Sequence, residues 1–67
     1  MSWFVPAVCD EPKGVKGKCR AVIARWTYDK HNGECEQFEY GGCRGNRNNF
    51  KSLKECRKIC LSDNSFQ

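Results

Sequence analysis

Six of the 67 residues are cysteines, about 9% of the chain. A domain of this length buries only about 60% of the surface that its unfolded chain exposes, so a hydrophobic core alone supplies roughly 3–5 kcal/mol. An even number of cysteines in so short a chain is typical of a disulfide framework, which forms in oxidising compartments. The sequence therefore predicts one secreted domain that three disulfides stabilise.

Composition excludes several other classes of protein. No two cysteines have the Cys-x2-Cys spacing of a zinc site, and His31 is the only histidine, so we expect no metal and no cofactor. No run of about 18 apolar residues could span a membrane and no signal-peptide segment is found at the start, so we expect a mature chain without membrane insertion. The net charge of +4 is mild and acidic residues lie among the basic ones, so we expect no nucleic-acid partner.

Two segments have the composition of strands. Residues 21–28 are rich in β-branched and aromatic side chains, and one face at a period of two carries Val22, Ala24, Trp26 and Tyr28. Residues 34–40 alternate in the same way, and the Asn-Gly pair at 32–33 tolerates the positive φ of a turn. The pattern predicts a β-hairpin, preceded by an exposed loop at residues 12–18, which hold two glycines and a proline.

A helix is predicted near the end of the chain. Ser52 and Glu55 have the spacing of a capping box, in which each side chain accepts a hydrogen bond from the backbone N–H of the other residue. Leu53, Cys56 and Cys60 follow at helical spacing on one face, so the two cysteines are poorly placed to pair with each other. Six cysteines allow 15 pairings, three of which join Cys56 to Cys60, and 12 remain.

The run Phe38-Glu39-Tyr40-Gly41-Gly42-Cys43, the triplet Asn48-Asn49-Phe50 and the spacing Cys19-x15-Cys35-x7-Cys43-x12-Cys56-x3-Cys60 resemble the Kunitz/bovine pancreatic trypsin inhibitor family. The resemblance implies a small disulfide-rich α+β fold, with a twisted β-hairpin and a short C-terminal α-helix. It also implies the disulfides Cys9–Cys60, Cys19–Cys43 and Cys35–Cys56. The inhibitor domain then covers residues 9–60, between an N-terminal tail (1–8) and a C-terminal tail (61–67).

The first loop departs from the family pattern. Nine residues separate Cys9 from Cys19, where the family usually has eight, and we place the extra residue upstream of Gly17. Lys18 stands where the family often has proline, which makes this position less rigid than in those members.

The resemblance also implies how such a chain acts. Arg20 follows the second cysteine, and in the family this residue enters the primary specificity pocket of a serine protease. A guanidinium forms bidentate hydrogen bonds with a carboxylate at the floor of such a pocket, so Arg20 implies a trypsin-like target and Arg20–Ala21 the reactive bond. The implied protease-binding loop is Gly17, Lys18, Cys19, Arg20, Ala21, Val22 and Ile23. The implied secondary loop is Glu39, Tyr40, Gly41, Gly42, Cys43 and Arg44, in which Glu39 is a candidate selectivity residue.

Two other functional hypotheses were weighed. Venom members of the family can block cation channels with basic side chains, and Lys13, Lys16 and Lys18 lie in one loop, so an ion-channel partner is the alternative. An enzyme is not expected, because His31 has no matched nucleophile or carboxylate. We expect a monomer, a structural role for Asn48 as a buried amide, and packing roles for the aromatic residues Trp26, Tyr28, Phe38, Tyr40 and Phe50. The apolar segment at residues 3–6 is expected to pack on the domain or to be disordered, rather than to bind a partner.

Overall fold

A computed structural model describes residues 7–61. A 3₁₀-helix at Ala7–Asp10 is followed by strand β1 (Ile23–Asp29), strand β2 (Glu34–Tyr40) and helix α1 (Leu53–Cys60). The small disulfide-rich α+β architecture is the one expected, although the 3₁₀-helix was not predicted. No helix within residues 7–61 is long and apolar enough to cross a membrane. The apolar segment at residues 3–6 lies outside the described residues.

β1 and β2 form an antiparallel hairpin. Ile23 lies opposite Tyr40 and Asp29 opposite Glu34, so the register covers all seven residues of each strand. The turn between them includes a hydrogen bond of 2.7 Å from the N–H of Gly33 to the carbonyl of Asp29, and Gly33 has a φ of 69°. β1 begins two residues later than predicted, because residues 21–22 belong to an exposed loop.

One face of β1 carries a buried polar row, Thr27 and Asp29, which contacts residues 13–14. Thr27 is fully buried and its hydroxyl accepts a hydrogen bond of 3.1 Å from the N–H of Gly14. Lys13 donates to Asp29 at 3.0 Å and lies 2.8 Å from Glu36. The hydrogen bond from Lys13 lowers the pKa of the nearly buried Asp29 to about 2. The prediction of an exposed loop at residues 12–18 holds for Lys13, which is exposed although it contacts the sheet, but it was wrong at Gly14, Val15 and Gly17, which are half-buried.

The free edge of β1 is occupied by residues 48–50. The backbones of Trp26 and Phe50 exchange two hydrogen bonds of 2.7 Å. Two residues further along β1, the side-chain amide of Asn48 accepts from the N–H of Tyr28 at 2.8 Å and donates to its carbonyl at 3.0 Å. Asn48 thus takes the place of a strand residue, as its expected role of buried amide implies. β2 remains the open edge of the sheet among the described residues.

Helix α1 begins after Ser52, whose hydroxyl accepts a hydrogen bond of 3.1 Å from the N–H of Glu55. The second hydrogen bond of the predicted capping box, from the N–H of Ser52 to the side chain of Glu55, was wrong. The Glu55 carboxylate accepts from the N–H of Lys51 at 3.2 Å, so it reaches one residue further back than Ser52. Leu53 is 36% exposed, and the buried face of the helix is carried by Cys56 and Cys60.

Three disulfides join these elements in the pairing that the resemblance implied: Cys9–Cys60, Cys19–Cys43 and Cys35–Cys56. Two of them hold α1, one against the 3₁₀-helix and one against β2. The buried core consists of Cys9, Cys56, Cys60 and Phe50, and the partly buried residues around it are Val8, Trp26, Tyr28, Cys35 and Ile59. Because this core is so small, the covalent links supply much of the stability; in the chain-entropy model each loop closure contributes about 3–4 kcal/mol.

Candidate functional site

The first loop of the site is almost entirely exposed. Lys18, Cys19, Arg20, Ala21 and Val22 form five consecutive exposed residues, and Val22 is 70% exposed although it is apolar. No side-chain partner of Arg20 lies among residues 7–61. A guanidinium that is solvated and unpaired can be transferred into a binding pocket without first breaking an ion pair within its own domain.

The second loop holds the first one through its backbone. The carbonyl of Gly41 accepts a hydrogen bond of 3.0 Å from the N–H of Ala21, and the N–H of Gly41 donates one of 2.9 Å to the carbonyl of Lys16. Gly17 forms a parallel β-bridge with Cys43, and the Cys19–Cys43 disulfide lies between these contacts. The two predicted loops are therefore one unit, in which both sides of Arg20 are fixed.

Gly41 leaves no space for a side chain. It is buried, and a Cβ atom at this position would lie 2.5 Å from the carbonyl oxygen of Cys19 and 2.9 Å from that of Lys16. Both neighbours are backbone atoms, which cannot rotate away as a side chain can. The close approach of the two loops therefore depends on glycine here, as expected for Gly41. At Gly42 the nearest atoms belong to side chains and lie 3.4 Å or more away, so the expected close backbone approach is found at residue 41 alone of the two.

A support for the second loop was missed by sequence reasoning. The guanidinium of Arg25 lies 5.1 Å from the ring centroid of Tyr40 and donates a hydrogen bond of 3.0 Å to Asn49. A cation over an aromatic face is attractive, so this contact fixes the half-buried ring that precedes Gly41. The strand register could have revealed it, because Arg25 lies opposite Phe38 and therefore diagonal to Tyr40 on the same face.

The exposed charge around the two loops is mainly basic. Four cations of these loops have no side-chain partner within the described part of the chain: Lys16, Lys18, Arg20 and Arg44. Lys13 differs from them, because Asp29 and Glu36 neutralise it. Glu39 is the one exposed acidic residue of the predicted secondary loop.

Few other side chains in the described part of the chain could take part in catalysis or in metal binding. His31 lies in the hairpin turn with its side chain 87% exposed, and its Nδ1 is 4.0 Å from the Asp29 carboxylate. Residues 7–61 contain no group of histidine, cysteine or acidic side chains that could hold a metal ion. The site is thus an exposed, mainly basic surface on two loops that backbone hydrogen bonds and a disulfide join.

Comparisons with known proteins agree with this geometry. The model of the Kunitz/Bovine pancreatic trypsin inhibitor domain matches residues 8–61. PI-stichotoxin-Hcr2f of Radianthus crispa is 55% identical over 53 residues, which cover 79% of this chain and 93% of the relative. Trophoblast Kunitz domain protein 1 of Ovis aries is 53% identical over 58 residues, 87% of this chain and 22% of the longer sheep protein.

Solved structures with the same fold include toxins. The racemic X-ray structure of calcicludine has a TM-score of 0.84 and 35% identity, and the match covers 90% of this chain and 98% of calcicludine. A structure described under "Pore-modulating toxins exploit inherent slow inactivation to block K+ channels" has a TM-score of 0.80 and 34% identity, with 84% and 93% covered. The cysteine framework, the paired loops and these matches establish that the chain belongs to the Kunitz/bovine pancreatic trypsin inhibitor family.

Proposed function

We propose that this chain is a secreted, reversible, tight-binding and substrate-like inhibitor of trypsin-like serine proteases. The observation that carries the proposal is the position of Arg20, which is exposed and unpaired among the described residues on a loop that a second loop holds from both sides. In a protease with a carboxylate at the floor of its specificity pocket, the guanidinium of Arg20 forms a charge-assisted bidentate pair. Lysine-specific and arginine-specific enzymes are therefore the targets.

Affinity in this mechanism comes largely from the order already present in the free loop. A flexible substrate loses conformational entropy when it enters a protease cleft. Here the hydrogen bond from Ala21 to Gly41 and the Cys19–Cys43 disulfide have fixed the loop before binding. Little further ordering is required, so a larger share of the contact energy appears as affinity.

The same links explain why attack on the Arg20–Ala21 bond would not consume the inhibitor. Cleavage forms an acyl bond between the Arg20 carbonyl and the catalytic serine and releases the amino group of Ala21. That amino group stays close to the acyl carbon, because Cys19–Cys43 and the Gly41 carbonyl hold the two sides together. At such an effective concentration, the amine re-forms the peptide bond faster than water hydrolyses the acyl group.

Replacement of Arg20 by alanine tests the proposal. We expect the inhibition constant for trypsin to rise by about 10³-fold or more, since truncation leaves the buried carboxylate of the pocket unpaired. Arg44→Ala is the matched control: it removes the same charge from the second loop, and we expect a change of less than about tenfold. Equal potency of Arg20→Ala and the parent protein against trypsin would show that another residue enters the pocket.

Ion-channel block is the second candidate, and a specific observation favours it. A solved relative is described as a toxin that blocks K+ channels, and Lys16 and Lys18 project from this loop without partners among residues 7–61. Lys13 contributes less than the sequence suggested, because two carboxylates neutralise it. Current block that survives Arg20→Ala and is lost in Lys16→Gln/Lys18→Gln, in a protein that inhibits no protease of a trypsin-like panel, would favour this candidate.

A further inference from the structure

Helix α1 and the residue before its cap carry three exposed lysines on the side away from the core. Lys54 and Lys58 lie four residues apart, on the same helical face. Each precedes a buried cysteine by two residues, and a separation of two residues places side chains on nearly opposite sides of a helix. Lys51 lies against the first turn, where its N–H bonds to the Glu55 carboxylate at 3.2 Å. We call these three residues the lysine stripe.

The lysine stripe is unpaired like the cations of the two loops, and it differs in this from three basic side chains elsewhere in the domain. Lys13, Lys30 and Arg47 each have a carboxylate within 2.8–3.0 Å. None of the three stripe lysines has a side-chain partner between residues 7 and 61. The carboxylate of Glu55, which the sequence places among them, is turned towards a backbone N–H instead.

Helix stability does not account for this arrangement. The N-terminal end of a helix carries partial positive charge, so cations at Lys51 and Lys54 are placed at the unfavourable end. Lys54 and Lys58 are also like charges at a spacing of four residues, which repel each other. Only Lys58 lies where the helix dipole favours a cation. An anionic ligand bound beside these lysines would offset this repulsion, because all three cations would attract it.

We propose that the lysine stripe binds a linear sulfated polysaccharide. A basic segment of eight residues such as Lys51–Lys58 is a common site for polyanions. Single-stranded nucleic acids are usually held by aromatic side chains on which bases stack, and helix α1 contains none. Disulfides place the domain in an oxidising, extracellular setting, where sulfated polysaccharides are the abundant linear polyanions.

The stripe and the protease-binding loop can be occupied together. The Cys35–Cys56 disulfide fixes α1 near the hairpin turn, opposite Tyr28 in the strand register. Ile23, at the loop end of β1, is about 17 Å away along the strand at about 3.3 Å per residue. The proposal is therefore independent of the proposed inhibition, and a failure of either one can be seen separately.

The experiment compares two variants with equal loss of charge. The helix triple is Lys51→Gln/Lys54→Gln/Lys58→Gln, and the loop triple is Lys16→Gln/Lys18→Gln/Arg44→Gln. Each lowers the net charge by three, and glutamine has nearly the same helix propensity as lysine. Binding of a heparin oligosaccharide is measured by titration calorimetry over a range of salt concentrations around about 0.15 M.

We expect the parent protein and the loop triple to bind heparin, and the helix triple to lose at least about tenfold in affinity. The slope of log affinity against log salt should fall by about 2–3 in the helix triple, because each neutralised anionic group contributes roughly 0.7–0.9. Retained trypsin inhibition shows that the helix triple is folded. Equal losses in the two triples, no binding by the parent near about 0.15 M salt, or equal affinity for single-stranded DNA would each overturn the proposal.

Discussion

Substitution of Gly41 by alanine tests the coupling between the two loops. The new Cβ would lie 2.5 Å from the Cys19 carbonyl oxygen, and such contacts are not observed below 3.0 Å, so the backbones must separate by at least 0.5 Å. This separation disrupts the hydrogen bonds of Gly41 with Ala21 and Lys16, each worth about 1 kcal/mol. Overpacking adds about 1–3 kcal/mol, so we expect the free energy of unfolding to fall by about 3–5 kcal/mol.

We expect Gly41→Ala to stay folded at room temperature despite this loss, because the disulfides stabilise the domain, so its effect on inhibition can be measured on folded protein. A displacement approaching 1 Å of a reacting group costs about 100-fold in enzymatic reactions, and we expect a rise of the same order in the inhibition constant. The assay is steady-state inhibition of trypsin, combined with denaturant unfolding of the same preparation with its disulfides intact.

Gly33→Ala is the control for this experiment. Gly33 has a positive φ of 69°, which Gly41 does not, and no atom lies within 4 Å of the position of its missing Cβ. We expect the left-handed conformation to cost about 1–2 kcal/mol of stability and the inhibition constant to stay unchanged. If Gly41→Ala inhibited trypsin as well as the parent, the two loops would not act as a unit. If Gly33→Ala weakened inhibition equally, general destabilisation would explain both variants.

Two further predictions concern stability. Because the pKa of folded Asp29 is about 2, below its usual value of 3.8, its contribution is present above about pH 4 and is lost as pH falls through 2. Urea unfolding at a series of pH values should therefore show a shallower acid decline in Asp29→Asn, and an unchanged decline would contradict this. Asn48→Ala removes the amide that pairs with both backbone groups of Tyr28 and should cost about 3–5 kcal/mol in guanidinium unfolding. Asn49→Ala, which loses one contact with half-buried Arg25, should cost less than about 1.5 kcal/mol.

Sequence reasoning located the elements whose signals are local. The strand at residues 34–40 and the N-cap at Ser52 were predicted from side chains within a few residues of each other. The buried polar row of β1 could not be found in this way. Thr27 and Asp29 are polar residues at the end of a strand, and their burial depends on Lys13 and Gly14, which are 13 to 16 residues away in the chain.

The candidate site likewise has features that local sequence signals predicted and features that they did not. Arg20 was singled out because it follows a cysteine and because the sequence resembles a family to which the chain belongs. The bond from Gly41 to the carbonyl of Lys16 had no sequence signal, because any residue has a carbonyl group. The role of Arg20 itself stays a prediction until inhibition is measured.

The open edge of β2 has a consequence for self-association. An unpaired strand edge can pair with the same edge of a second copy and so begin aggregation. β2 has the sequence Glu-Cys-Glu-Gln-Phe-Glu-Tyr, so three of its seven residues are glutamates. Side-by-side pairing of two copies would bring these carboxylates together, at a cost that like charges on adjacent strands impose. Asn48 closes the other edge of the sheet with an amide, and the glutamates of β2 protect the edge that is left open.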